Sequence, residues 1–94
     1  MTNDLEQAAA AYEICDYATA FRLRMVLAEQ GNADAQCCVG YAYYQGEGTE
    51  RNPKQAVYWY EKAALQGDVI AQYNLACAYE HGDGVDRDPG RAFG

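Results

Sequence analysis

The chain repeats itself at an offset of 36 residues, and this repeat restricts its fold more than any other feature. Residues 31–56 read GNADAQCCVGYAYYQGEGTERNPKQA and align without a gap with residues 67–92, GDVIAQYNLACAYEHGDGVDRDPGRA. Gln36 matches Gln72, and Tyr43 matches Tyr79. A fixed period of roughly 20 to 50 residues is typical of solenoids, in which stacked supersecondary units share one continuous core.

Each repeat unit is predicted to be a pair of helices. The same offset places residues 17–31 over residues 53–67, and residues 4–15 take the position of a preceding helix. We therefore predict one all-α domain over residues 1–94, with about two and a half units. They are an N-terminal helix pair (1–31), a full repeat (32–67) and an incomplete repeat (68–94).

Apolar residues recur at helical spacing in both halves of a unit, which predicts the buried face of each helix. These residues are Ala35, Val39, Ala42 and Tyr43 in one helix, and Ala56, Tyr60, Ala63 and Ala64 in the next. The repeating Tyr79, and Trp59 in part, are assigned to the core as well. The matched alanines allow neighbouring helices to approach closely.

The ends of the predicted helices carry capping residues. Asn52 is a favourable N-cap before Pro53, Asp88 repeats this arrangement, and Asp16 is placed to cap the helix that begins at Tyr17. Four glycines stand where a helix is expected to end in the left-handed conformation: Gly31, Gly46, Gly67 and Gly82.

The G-E-G sequence at residues 46–48 raises the question of a ligand-binding loop. A dinucleotide-binding fingerprint would need a third glycine near Arg51 and a preceding strand, and both are missing. In the matching G-D-G segment, Asp83, Asp86 and Asp88 lack the spacing and the closing glutamate of a calcium loop. Because both segments lie between a helix end and a capped helix start, we interpret them as turns.

The repeat closely resembles the Sel-one-like repeat, a relative of the tetratricopeptide repeat. The resemblance rests on ADAQCCVGYAYYQGEGTERNPKQAVYWYEKAALQG followed by AQYNLACAYEHGDGVDRDPGRA, and it covers residues 17–92 best. It implies a right-handed superhelix of antiparallel helix pairs, usually an adaptor that holds partners on its concave surface. Ala76 departs from the glycine found at Gly40. The cysteines do not match the disulfide-rich subgroup of this family.

The charge of the chain restricts its partners. Seven basic and fourteen acidic residues give a net charge of -7, and no basic run is present. Nucleic acids and anionic membranes, which are bound through Lys and Arg, are therefore not expected partners. No apolar run reaches the roughly 20 residues of a membrane span, and the N-terminal residues do not resemble a signal peptide. These features predict a cytoplasmic protein.

The sequence offers no evident catalytic, metal or cofactor site. Its four cysteines include no C-x-x-C pair, so reduced thiols are expected rather than zinc ligands or disulfides. The chain contains no serine, and its single histidine, His81, is expected to face solvent at a helix end. Glu47 and Glu50 lie in a turn without an evident apolar pocket, so raised pKa values are not expected there. We predict a protein that is not an enzyme.

A binding role is the better hypothesis. Residues that differ between units on the exposed side of the first helices are candidate partner contacts: Cys38, Tyr41, Tyr44 and Gln45 in one unit, and Asn74, Cys77, Glu80 and His81 in the next. Tyrosine is enriched at interaction hot spots. Packing between helices remains an equal alternative for Tyr41 and Tyr44. The predicted function is an adaptor that binds another protein or peptide, and the alternative is a small immunity-type protein that blocks one enzyme or toxin.

The last unit stops in the middle of its pattern, which leaves Phe93 at an open edge. Solenoids need closing ends, because an uncapped unit exposes its stacking face. Two expectations follow: the natural protein continues with further repeats, or this edge is covered by a partner or a second copy of the chain.

Overall fold

The computed structural model describes residues 4–13 and 16–82. These residues form five helices and contain no strand: α1 (Asp4–Glu13), α2 (Tyr17–Glu29), α3 (Ala33–Gln45), α4 (Pro53–Leu65) and α5 (Val69–His81). The all-α class is confirmed. Phe93, Cys15 and the G-D-G segment with Asp83, Asp86 and Asp88 lie outside these residues, so the predictions made for them stay predictions.

The helices stack in the order in which they occur along the chain. The main packing contacts join α1 to α2, α2 to α3, α3 to α4, and α4 to α5. Such nearest-neighbour packing is characteristic of a solenoid, in which every unit contacts only the units beside it.

The predicted caps are present. The side chain of Asp16 accepts a hydrogen bond of 3.2 Å from a backbone N–H of the first turn of α2, and Asn52 accepts one of 3.3 Å in α4. Asn32 and Asp68 cap α3 and α5 in the same way. The glycines predicted to be left-handed all have positive φ: Gly31, Gly46, Gly67 and Gly82. Local sequence therefore determines where these helices begin and end.

The repeated glutamine connects one helix pair to the next. Gln36 Nε2 donates to the Ala28 carbonyl at 3.1 Å, in what we call the first corner (residues 28–36). Gln72 Nε2 donates to the Ala64 carbonyl at 3.3 Å in the second corner (residues 64–72). Gln66 then joins the two corners, because its amide donates to the Gln36 Oε1 at 2.9 Å.

Within the described residues, two adjoining core clusters share the half-buried Tyr43. One contains Ala28, Ala35, Val39 and Trp59, and the other contains Cys37, Ala56, Tyr60, Ala63 and Ala71. The core positions predicted from the helical spacing are buried, except that Tyr43 and Ala64 are half-buried. Gly40 allows α3 and α4 to approach closely, since a Cβ atom there would lie 2.8 Å from the Tyr60 ring.

The G-E-G segment is a turn, as interpreted, and it also makes a packing contact. Gly46 ends α3, and Gly48 has a φ of 79°. A Cβ atom at Gly48 would overlap the backbone carbonyl of Tyr17. The turn therefore lies directly against the first residue of α2, 31 positions earlier in the chain.

Candidate binding groove

A cavity of about 240 Å³ is lined by residues of α1, α2, α3, α5 and the turn after α3. We call it the first cavity. Its walls include Tyr12 of α1, Phe21 of α2, Cys38 of α3 and Ile70 of α5. The first helices of the units, α1, α3 and α5, all contribute to this cavity, and α2 contributes with them.

A second cavity of about 170 Å³ adjoins the first. It is lined by Tyr41, Tyr44, Gln45, Tyr60, Asn74, Cys77 and Ala78. Tyr41 and Asn74 belong to both cavities. The two cavities therefore lie side by side, and we call them together the groove.

Six of the eight predicted contact residues line the groove. Cys38 lies in the first cavity, Tyr41 and Asn74 lie in both, and Tyr44, Gln45 and Cys77 lie in the second. The other two, Glu80 and His81, line neither cavity. Both are exposed, and His81 Nδ1 lies 2.9 Å from the carbonyl oxygen of Cys77, one turn earlier in α5.

Sequence reasoning missed the contribution of α1, α2 and the turn after α3. Tyr12, Tyr17, Phe21, Arg24 and Glu47 all line the first cavity. The prediction compared only α3 with α5, where the repeat is clearest. The aromatic pair Tyr17 and Phe21 was an available signal, because residues four positions apart share one face of a helix.

The expectation for the surroundings of Glu47 is wrong, because this residue lines a largely apolar cavity. Its Oε1 atom is buried and has no hydrogen-bond partner. The hydroxyl of Tyr12 lies nearby, and its pKa is raised, first by burial and then by Glu47. The other charged group of the cavity is Arg24, whose guanidinium carbon lies 4.9 Å from the centre of the Tyr12 ring.

The thiols of Cys37 and Cys38 in the first cavity lie in an environment that keeps them protonated. Cys37, Cys38 and Cys77 are all unpaired by disulfides. Burial raises the pKa of the Cys37 thiol to about 12. Burial also raises the pKa of Cys38, although Arg24 opposes the shift. Because the thiolate is the nucleophile, neither Cys37 nor Cys38 is activated for covalent chemistry at neutral pH.

Residues 4–13 and 16–82 contain no group of three His, Cys, Asp or Glu side chains placed to hold a metal ion. No helix in the same ranges combines the length and the apolar character needed to cross a membrane.

A family model for the Sel1 repeat matches residues 33–68 and 69–94. The chain belongs to the Sel1 repeat family. No curated protein matches the sequence. Among solved structures, a protective antigen of uropathogenic Escherichia coli strains that displays an SLR fold is similar, with 31% identity and a TM-score of 0.91. A Sel1 repeat protein from Oxalobacter formigenes is 35% identical, with a TM-score of 0.89.

These similarities cover nearly all of this chain but only part of the other proteins. The E. coli antigen is matched over 96% of this chain and 20% of its own length, and the O. formigenes protein over 98% and 37%. The chain thus spans between a fifth and two fifths of these Sel1 repeat proteins. Sel1 repeats generally serve as protein–protein interaction modules.

Proposed function

We propose that this Sel1 repeat chain is a non-enzymatic adaptor that binds a peptide segment of a partner protein in the groove. The observation that carries the proposal is the position of Tyr41. Its side chain belongs to both cavities and is 41% exposed. A tyrosine that is partly held by its neighbours and partly open can contribute a large contact area at a low entropy cost.

The lining of the groove suits a peptide. Phe21, Tyr41 and Ile70 offer apolar area, while the Asn74 amide stands where the two cavities meet. An amide group both donates and accepts hydrogen bonds, which matches the needs of a peptide backbone. Apolar walls with a few fixed polar groups are typical of binding sites.

The proposal of a binding role without catalysis has its own support. The raised pKa values of Cys37 and Cys38 leave their thiols protonated at neutral pH. His81 contacts a backbone carbonyl of its own helix and does not line the groove. The free thiols also favour a reducing compartment such as the cytoplasm, which we propose as the location.

Selection of peptides tests the function. A random-peptide phage library is panned against the immobilised chain, enriched peptides are synthesised with a fluorophore, and affinity is measured by fluorescence anisotropy. We expect Tyr41→Ala to weaken binding about tenfold or more. The matched control is Tyr58→Ala, since Tyr58 is 50% exposed, lies on α4 and lines neither cavity.

The affinities of the Tyr41→Ala and Tyr58→Ala variants distinguish the possible outcomes. Loss of affinity in Tyr41→Ala with little change in Tyr58→Ala supports the groove as the binding site. A library that yields no specific binder overturns the proposal. So does a set of binders that depends on Tyr58 and is indifferent to Tyr41.

A further inference from the structure

The first cavity carries one negative and one positive group at separate points along α2. Glu47 precedes Gly48, whose position against the Tyr17 carbonyl places this turn at the first residue of α2. Arg24 lies seven residues further along α2. At a rise of about 1.5 Å per residue, the backbone positions of Tyr17 and Arg24 are about 10 Å apart along the helix axis. The charged groups themselves lie closer together, because the Tyr12 side chain contacts both of them.

The carboxylate of Glu47 is the less satisfied of the two groups. Its Oε1 atom is buried and accepts no hydrogen bond. A buried carboxylate oxygen that has lost its water is costly unless a donor replaces that water, and a cation is the strongest donor. The adjacent Tyr12 hydroxyl, whose pKa is raised by burial and then by a hydrogen bond to Glu47, is an uncharged donor and does not neutralise the carboxylate. The site therefore favours an incoming positive charge.

Arg24 is the positively charged group of the cavity, and an aromatic ring holds it in place. The Tyr12 ring face lies 4.9 Å from its guanidinium carbon, which holds the group at the cavity wall. An arginine fixed in this way remains charged and presents a planar set of N–H donors that suits a carboxylate. This end of the cavity favours an incoming negative charge.

Along α2, apolar residues of the cavity lie between the two charged positions, since Ala20 and Phe21 stand between Tyr17 and Arg24 in the helix. Tyr17, Phe21 and Val39 line the same cavity. An apolar side chain of a ligand would bury area against them, while a charged side chain placed here would lose water without gaining a partner. The lining thus alternates from acceptor to apolar wall to donor.

We propose that the first cavity selects peptide segments in which a basic side chain meets Glu47 and an acidic side chain meets Arg24, with an apolar residue between them. This inference rests on the proposed function of the groove. An extended chain rises about 3.3 Å per residue, so a backbone separation of about 10 Å corresponds to roughly three residues, with two to four allowed by side-chain length.

The two charged positions contribute differently to recognition. The net charge of -7 attracts basic peptides in general, and this long-range term does not depend on where the positive side chain lies. Glu47 fixes the place of one basic residue. Arg24 disfavours a second basic residue at the other end, so the groove discriminates a peptide of mixed charge from a uniformly basic one.

Peptides from the phage selection test this charge pattern directly. We expect enriched sequences to contain Lys or Arg two to four positions from Asp or Glu. In wild-type protein, replacing the peptide's basic residue by Gln should weaken binding about tenfold. In the Glu47→Gln variant, the same replacement in the peptide should have little further effect on affinity, because the side chain at position 47 no longer carries a charge.

Matched variants control for charge and for folding. Glu50→Gln removes an exposed carboxylate from the same turn, and Arg22→Gln removes an exposed guanidinium from the same helix. Both should leave affinity nearly unchanged, whereas Glu47→Gln and Arg24→Gln should lower it. Helix content by circular dichroism confirms that each variant is folded. If a variant does not fold, the peptide substitutions on wild-type protein still decide the result.

The outcomes distinguish this inference from the proposed function. Binders that depend on Tyr41 but show no paired charges, or that lose as much affinity in Glu50→Gln as in Glu47→Gln, overturn the charge pattern and leave the adaptor function intact. Uniformly basic binders also overturn it. A library without specific binders overturns both proposals.

Discussion

The two corners of the molecule have matching residues and backbone but differ in what surrounds them. Asn32 and Asp68 cap the following helices with nearly equal dihedral angles, φ -71° and ψ 117° against φ -68° and ψ 115°. Gln36 and Gln72 make the same hydrogen bond to the preceding helix. Yet Gln36 is only 4% exposed, while Gln72 is exposed.

The difference arises from the next unit. Gln66 donates to Gln36 Oε1 and, at 3.0 Å, to the Gly31 carbonyl, so the second corner covers the first. No later corner lies within the described residues to cover the second. A repeated residue therefore has the same local role in every unit, while its contribution to stability depends on the neighbour that packs against it.

The largest effect is expected where a glycine lies against another unit. Gly48→Ala introduces a Cβ atom that overlaps the Tyr17 carbonyl at a positive φ, and we expect about 3 kcal/mol or more of destabilisation. Gly67→Ala has a similar φ, but no atom lies within 4 Å of the new Cβ, so about 1–2 kcal/mol is expected. Urea unfolding followed by circular dichroism measures both. Equal losses of unfolding free energy in the two variants would contradict the claim that contact with another unit makes the Gly48 substitution more costly.

The two glutamines test the corners themselves. Gln36→Ala removes a buried side chain that bonds to Ala28 and Gln66, and it should lower the free energy of unfolding by about 2–3 kcal/mol. Gln72→Ala removes an exposed side chain and should cost about 0.5–1 kcal/mol. Emission of Trp59, the single tryptophan, reports the unfolding transition. A larger loss in Gln72→Ala would show that burial by the next unit is not the deciding factor.

Gly40 and Ala76 occupy the same position in successive units, so a methyl group is compatible with the helix itself. In Gly40→Ala the methyl would lie 2.8 Å from the Tyr60 ring, and this strain should exceed the gain in helix propensity. We expect a net loss of about 1 kcal/mol in thermal or urea unfolding.

A second substitution identifies the cause of that loss. In a Tyr60→Leu background the ring is absent, and Gly40→Ala should become neutral or stabilising through its helix propensity. If Gly40→Ala is equally destabilising in the Tyr60→Leu background, the strain does not come from the Tyr60 ring.

The smallest expected effect is the pH dependence of the free energy of unfolding that is caused by the Cys37 thiol. Burial raises the pKa of Cys37 from 9.0 to about 12. Between these values the unfolded chain loses the thiol proton while the folded chain keeps it, so the free energy of unfolding falls as pH rises above 9. Cys37→Ala should give a shallower decline between pH 8 and 10.5 in urea titrations. A residual decline is expected from Tyr60, whose pKa is also raised by burial. Identical slopes would contradict the assignment to Cys37.

The sequence was sufficient for features that depend on a few neighbouring residues. The Asp16 and Asn52 caps, the glycine that ends each described repeat helix, and the buried alanines follow from local spacing and from backbone chemistry. Because two copies of the repeat occur at a fixed offset, each of these assignments was supported by equivalent residues at two places in the chain.

The groove was harder to predict, since it depends on contacts between units. Tyr41 and Asn74 were identified because they differ between repeats on the exposed side of α3 and α5. Arg24 and Glu47 were not, because only the packing of the turn against α2 brings them to one cavity. The offset relates equivalent positions, but it carries no information about which different positions meet.

The contact between Gly48 and Tyr17 also determines where the array can accept inserted residues. The turn at 46–48 acts as a spacer of fixed length between the two helices of one pair, α3 and α4, so an added residue would change how this pair packs against α2 and would change the width of the groove. At Gly67 no atom lies within 4 Å of an added Cβ atom, so a side chain can be placed there without a steric clash. A fluorescent label on a side chain is therefore expected to be tolerated at position 67, whereas the G-x-G turn at 46–48 should keep its length.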